Sequence, residues 1–123
     1  MLGDTITLNL GTIADPDEIT LKKINQDGYS AEYRLKQSDR EHVLLIRHSK
    51  EKAKLKGKTV DRHNVTYTQN LFPTEISPQG ETVQAYAVFR VNPDSADTDV
   101  SPVATAVMAF ASENALAILG WES

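Results

Sequence analysis

The chain reads as an α+β protein: an N-terminal β-hairpin, an antiparallel β-sheet and two C-terminal α-helices. Three observations predict this. Residues 59–91 hold two long runs of period two, joined by a loop with two prolines and a glycine. Shorter alternating runs precede them, separated by clusters of turn-forming residues. Beyond Asn92-Pro93 the apolar period changes from that of a strand to that of a helix. Strands first and helices afterwards define the class.

Taken in order, Asp4–Leu10 sets Ile6, Leu8 and Leu10 on alternate positions and predicts the first strand. Gly11–Asp17, with Pro16 between two aspartates, is a turn. Glu18–Ile24 carries Ile19, Leu21 and Ile24 and returns as the second strand of the hairpin. Asn25-Gln26-Asp27-Gly28 is a second turn, its Asp-Gly pair suited to positive φ. Tyr29–Leu35 alternates and gives a third strand, and Gln37–Arg40 turns again. Glu41–His48 has four consecutive apolar residues, Val43 to Ile46, as expected of a strand covered on both faces. Lys50–Lys58 places a lysine on every second residue and reads as a loop or a short irregular strand.

Val60–Gln69 and Thr82–Val91 are the long strands. Alternation gives them one apolar side, with Val65, Tyr67, Ala85, Ala87, Phe89 and Val91. The other side offers Arg62, Asn64, Thr66, Thr68, Gln84, Tyr86 and Arg90. That side is either a platform for nucleic acid or the ordinary wetted face of a one-sided sheet. Between the two strands, Asn70–Gly80 is a loop that carries Leu71, Phe72, Pro73, Ile76 and Pro78. Its apolar side chains either meet something beyond the monomer or fold back onto the sheet.

Ser101-Pro102 suits an N-cap and first helical position, and the aspartates before it suit a helix N-terminus. Val100, Val103, Val107 and Phe110 then form an apolar stripe. Ser112-Glu113-Asn114 breaks or bends the helix. Ala115–Leu119, with Leu116, makes a second short helix that Gly120 stops. Trp121 lies beyond, in an interface or against the sheet.

The 123 residues suit one domain, residues 1–123. Hydrophobic content of 40% and charged content of 24% mark a folded, soluble class. No apolar run reaches the ~20 residues of a membrane helix. Met1-Leu2-Gly3-Asp4 shows no basic region leading into an apolar one, so no secretory signal is expected. The absence of cysteine excludes disulfides and thiolate chemistry and fits the cytoplasm. The net charge is −4, unevenly spread: residues 21–63 hold 12 of the 13 cations against six acids, a local balance of +6. The remainder balances at −10, a polarity expected to make a basic face for a polyanion.

Catalytic motifs are missing. His42, His48 and His63 show neither HxH nor HExxH spacing, and no GxSxG, P-loop or GxGxxG occurs. No enzyme activity and no required cofactor is expected. Asp94, Asp97 and Asp99 are weak candidates for a divalent cation at a subunit contact, though helix capping explains them as well. One problem remains. About 20 residues of helix cover only part of an apolar sheet face. A homodimer that shares sheet edges and exchanges helices solves it.

Several stretches carry a family resemblance: Leu2–Leu8, Lys23–Tyr29, Ile46–Glu51, Arg62–Val65, Gln84–Tyr86 and the ending Gly120–Ser123. In order and spacing they resemble the coat proteins of levivirus-type single-stranded RNA bacteriophages, those infecting Caulobacter in particular. The resemblance implies an interlocked homodimer with a continuous sheet, helices and hairpin outward, assembling into a quasi-equivalent icosahedral shell in the host cytoplasm. It implies genomic RNA on the inner sheet face, and a dimer that represses the replicase by binding an RNA hairpin. By position it assigns RNA contact to Val43, Leu45, Arg47, Arg62, Asn64, Thr66 and the stacking Tyr86. Arg90 and the lysines Lys50, Lys52, Lys54, Lys56 and Lys58 are expected to add phosphate contacts. Leu71, Phe72, Pro73, Ile76 and Pro78 are expected between dimers, and Val103, Val107, Phe110, Leu116 and Trp121 within the dimer. An RNA-binding regulator that makes no shell is the alternative.

Overall fold

Six strands lie side by side in sequence order, every neighbouring pair antiparallel. The computed structural model describes residues 2–52, 59–94 and 96–121. The strands are β1 (Thr5–Asn9), β2 (Glu18–Gln26), β3 (Ser30–Lys36), β4 (Arg40–Lys52), β5 (Thr59–Leu71) and β6 (Glu81–Val91), followed by α1 (Asp97–Glu113) and α2 (Ala115–Leu119). The predicted class and element order therefore hold.

Local chemistry sets the turns. Asn9 closes the first hairpin: its Oδ1 accepts from the Gly11 and Asp17 amides, 2.9 Å each. Gly11 is needed there, because a Cβ would stand 2.3 Å from the Asp15 carbonyl oxygen. The β2–β3 turn works differently from expectation. Gly28 does not adopt positive φ; the Asp27 carboxylate holds the turn by accepting from the Tyr29 and Ser30 amides at 2.7 Å. Those bonds keep the Asp27 carboxyl below its ordinary range.

Register divides the sheet into two faces. Ile19 and Leu21 of β2, Tyr33 of β3 and Leu44 of β4 are buried on one of them. Ile6, Leu8, Ala31, Leu35, Ile46, Val65 and Tyr67 pack around them on the same side. The sheet curls, Ile6 and Leu8 of β1 complete this cluster, and neither helix contributes a buried residue to it. The Tyr33 hydroxyl donates to the Gly3 carbonyl at 2.9 Å, tying the N-terminus down.

His42 is buried in this face and fully bonded. Its Nε2 donates to Gln37 Oε1 at 2.9 Å, which leaves Nδ1 to accept from the Tyr67 hydroxyl at 2.7 Å. His48 and His63 lie on the same face without being buried there. His48 is exposed and His63 half-buried, and the two face each other across β4 and β5, Nδ1 to Nδ1 at 2.8 Å.

The helix begins a turn earlier than expected. Ala96 is the N-cap, with no side-chain cap, and Pro102 lies inside α1 rather than at its first position. Asp97 and Asp99 occupy the first turn, where the helix dipole favours them. The break at Asn114 is as expected: its φ of −114° ends α1, and its side-chain amide donates to the Phe110 carbonyl at 2.9 Å.

Neither helix contains a buried residue. Val103, Val107, Phe110, Leu116 and Trp121 are all exposed, Trp121 to 95%. The core face of β6 is open too, with Val83 exposed and Ala87, Phe89 and Val91 half-buried. β6 itself is an 11-residue edge strand with no further strand paired to it among the described residues, and α1 shares a cleft with its Val88–Arg90 end.

Candidate nucleic-acid interface

Across β3 to β6 the face away from the core is built in rows of paired residues. Glu32, Leu45, Thr66 and Tyr86 form one row; Arg34, Val43, Thr68 and Gln84 form the next. On the other side of Tyr86, Ser30, Arg47, Asn64 and Val88 line up, followed by Ser49, Arg62 and Arg90. Period-two alternation in three paired strands makes this unavoidable: once Thr66 opposes Tyr86, residues two and four away share the face.

The side chains on these rows are partly fixed. Thr66 Oγ1 donates to Asn64 Oδ1 at 2.6 Å, and Gln84 Nε2 donates to Thr68 Oγ1 at 3.3 Å. Tyr86 is 69% exposed, its ring open to solvent. Val43 and Leu45 are half-buried within the same face. Arg47 is exposed and pairs with no carboxylate among the described residues. Arg62 and Arg90 share one carboxylate: Glu51 Oε1 lies 3.1 Å from Arg62 Nε and 3.2 Å from Arg90 Nε. Guanidinium groups and a free aromatic ring on one surface supply the two contacts single-stranded nucleic acid takes, charge and stacking.

Most of the expected set therefore comes together: Val43, Leu45, Arg47, Arg62, Asn64, Thr66, Tyr86 and Arg90 share this face. The lysine ladder does not join it as expected. β4 runs as a regular strand to Lys52, so Lys50 falls in phase with His48 on the core face, its Nζ 3.3 Å from Asp61 Oδ1. Lys52 pairs with Thr59 through the backbone. Lys54, Lys56 and Lys58, and the side chain of Lys52, lie outside the described residues.

The basic block also fails to become one patch. Lys23, Arg40 and Lys50 belong to the core face, where Lys23 sits 5.7 Å above the Tyr33 ring. Arg34 belongs to the polar face but is matched by Glu32 at 2.9 Å and Glu41 at 2.7 Å. Consecutive cations on a strand are dealt to opposite sides, so a block in sequence is halved in space. Glu51 was missed by sequence reasoning. Its signal was parity: it shares the odd numbering of Val43, Leu45 and Arg47, and β4 is continuous.

The β5–β6 loop is anchored at its base and open at its tip. Leu71 ends β5, and the Phe72 amide donates to the Asp39 carbonyl at 3.0 Å. Lys36 Nζ sits 5.9 Å above the Phe72 ring. Pro73 and Pro78 are exposed, and Ile76 at the tip is 97% exposed. Gly80 closes the loop with φ of +69°, and a Cβ there would meet the Leu71 carbonyl oxygen at 2.4 Å. Asp94, Asp97 and Asp99 do not converge: among the described residues no three acidic or histidine side chains are placed to hold a metal ion. The two aspartates inside α1 are accounted for by the helix dipole.

A curled antiparallel sheet with a polar outer face, an unpaired edge and two unpacked terminal helices is the subunit architecture of a phage coat protein. The structure of the bacteriophage EMS014 coat protein matches it with a TM-score of 0.69, over 89% of this chain and 73% of that one, at 16% identity. At that identity the likeness speaks for the fold alone. No curated protein sequence matches the chain. The family model described as "Phage phiCb5, coat protein" matches residues 3–92, the whole sheet, and the chain belongs to that family. It is thus a structural component of a virion and not an enzyme.

Proposed function

We propose that two copies pair through their β6 edges, exchange helices, and assemble as dimers into an icosahedral shell around a single-stranded RNA genome. One observation carries the pairing. The apolar stripe of α1 and α2 is exposed, the core face of β6 beside it is only half-covered, and no strand pairs with the outer edge of β6 among the described residues. Apolar patches of this extent mark an interface. A second copy supplies what both lack, since a β6–β6 pairing continues the sheet and sets each helix pair over the other chain's open face.

RNA lies on the opposite face. Arg47, Arg62 and Arg90 neutralise backbone phosphates, Tyr86 stacks on a base, and Asn64 and Thr66 supply amide and hydroxyl contacts. By the ~3.3 Å rise per strand residue, Tyr86 and Arg90 stand about 13 Å apart along β6, so one strand of RNA meets both. Pairing doubles this face, and the doubled face binds an RNA hairpin, by which the dimer acts as a translational repressor of the replicase. The β5–β6 loop, with Ile76 at its tip, joins dimers in the shell, which assembles in the cytoplasm of the bacterial host.

Electron microscopy and absorbance of the expressed protein test this reading. Uniform particles with nucleic-acid absorbance, emptied by high salt, are expected. Elution only as a small, RNA-free species at low salt overturns it. Deleting Phe72–Ile76 separates shell from dimer: particles are lost while RNA binding persists.

A further inference from the structure

We infer that Glu51 is a built-in competitor for RNA phosphate: its carboxylate holds the position between Arg62 and Arg90 that a backbone phosphate takes on binding. The inference rests on the RNA-face reading above and adds the residue that sets how tightly that face holds.

Arg62 and Arg90 are directly opposed across β5 and β6. Like charges so placed repel and destabilise the pairing. Glu51, diagonal to both on β4, relieves this with a single oxygen, at 3.1 Å and 3.2 Å. No second carboxylate reaches either guanidinium among the described residues. The triad therefore keeps one net positive charge on the polar face.

A non-bridging phosphate oxygen is the same kind of acceptor as the Glu51 oxygen, and arginine forks bind phosphate at least as well as carboxylate. All three side chains are partly solvated, so the ion pairs are weak enough to be exchanged. Phosphate entry displaces Glu51 and must overcome its repulsion. The penalty is the same for every RNA sequence, because it is read from the backbone alone. Glu51 thus lowers affinity uniformly and makes attachment to the coat reversible.

The test titrates full-length protein, stripped of nucleic acid, with a labelled single-stranded oligoribonucleotide over a salt series. Glu51→Gln is compared with Glu41→Gln, which makes the same change in net charge at the Arg34 pair on the same face. Glu51→Gln is expected to tighten binding by about threefold or more at low salt, and to steepen the salt slope by about 0.7. Glu41→Gln is expected to give less than half that gain, and adding Arg90→Ala to Glu51→Gln cancels it. Equal gains from the two glutamine variants, or none from Glu51→Gln, overturn the inference. Should Glu51→Gln not fold, Glu51→Asp draws the carboxylate back by one methylene and is expected to give an intermediate gain; no gain overturns it likewise. Failure of the unmodified protein to bind the oligonucleotide is a different result, which removes the RNA-face reading itself and this inference with it.

Discussion

His42 Nδ1 accepts a hydrogen bond from the Tyr67 hydroxyl at 2.7 Å, across the β4–β5 pairing and inside the core face. The bond is part of a chain: Gln69 Nε2 donates to the Tyr67 oxygen at 2.8 Å, and His42 Nε2 donates to Gln37. Every member is neutral, and protonating Nδ1 forces the Tyr67 hydroxyl to turn away. Burial, with the charge of Arg40 beside it, holds the His42 pKa below its ordinary 6.5. The unfolded chain therefore takes up the proton first. Stability is complete above about pH 6.5 and falls as pH drops from there through the depressed folded value. Urea unfolding at fixed protein concentration is expected to show this acid-side loss, and His42→Gln is expected to flatten it. His42→Ala leaves Gln37 and Tyr67 unpartnered and is expected to cost about 1–3 kcal/mol.

On the proposed RNA face Tyr86 stacks on a base while Arg62 neutralises a phosphate, and salt separates the two roles. Tyr86→Ala is expected to weaken binding by about 1–3 kcal/mol with an unchanged salt slope. Arg62→Ala is expected to reduce the slope by about 0.7. Fluorescence titrations with a single-stranded oligonucleotide measure both. Equal slopes for the two variants contradict the division of roles.

Gly80→Ala puts a methyl group against the Leu71 carbonyl in a backbone region that L-residues avoid. A destabilisation of about 1–3 kcal/mol is expected in chemical denaturation, because the closure of the β5–β6 loop must shift.

Val107 lies on the exposed stripe of α1 without contact to a buried core. Val107→Asp is expected to leave the β1–β5 core intact while dimers fail to form. Sedimentation velocity reads the second effect and far-ultraviolet circular dichroism the first. A variant that still sediments as a dimer argues against helix exchange.

Ile76→Asp alters a loop-tip side chain that is 97% exposed. It is expected to leave melting of the dimer unchanged and to reduce particle yield sharply, as counted by electron microscopy. Normal particle yield removes the loop tip from shell contacts.

By itself the sequence determined what depends on near neighbours along the chain. The alternation of Val65, Tyr67, Ala85, Ala87 and Phe89 against Asn64, Thr66, Gln84 and Tyr86 settled the two faces, because side-chain direction reverses at every strand residue. The change of period after Pro93 and the bend at Asn114 were legible for the same local reason. Tertiary structure decided what depends on pairing across the sheet. Unbroken pairing of β4 with β5 extended β4 to Lys52, and that parity sent Lys50 to the core face and Glu51 between Arg62 and Arg90. Packing across the sheet made His42, bonded to Gln37 and Tyr67, and not His48 or His63, the buried histidine. Register and curvature are set by contacts between residues far apart in the chain, and a pattern read one strand at a time does not contain them.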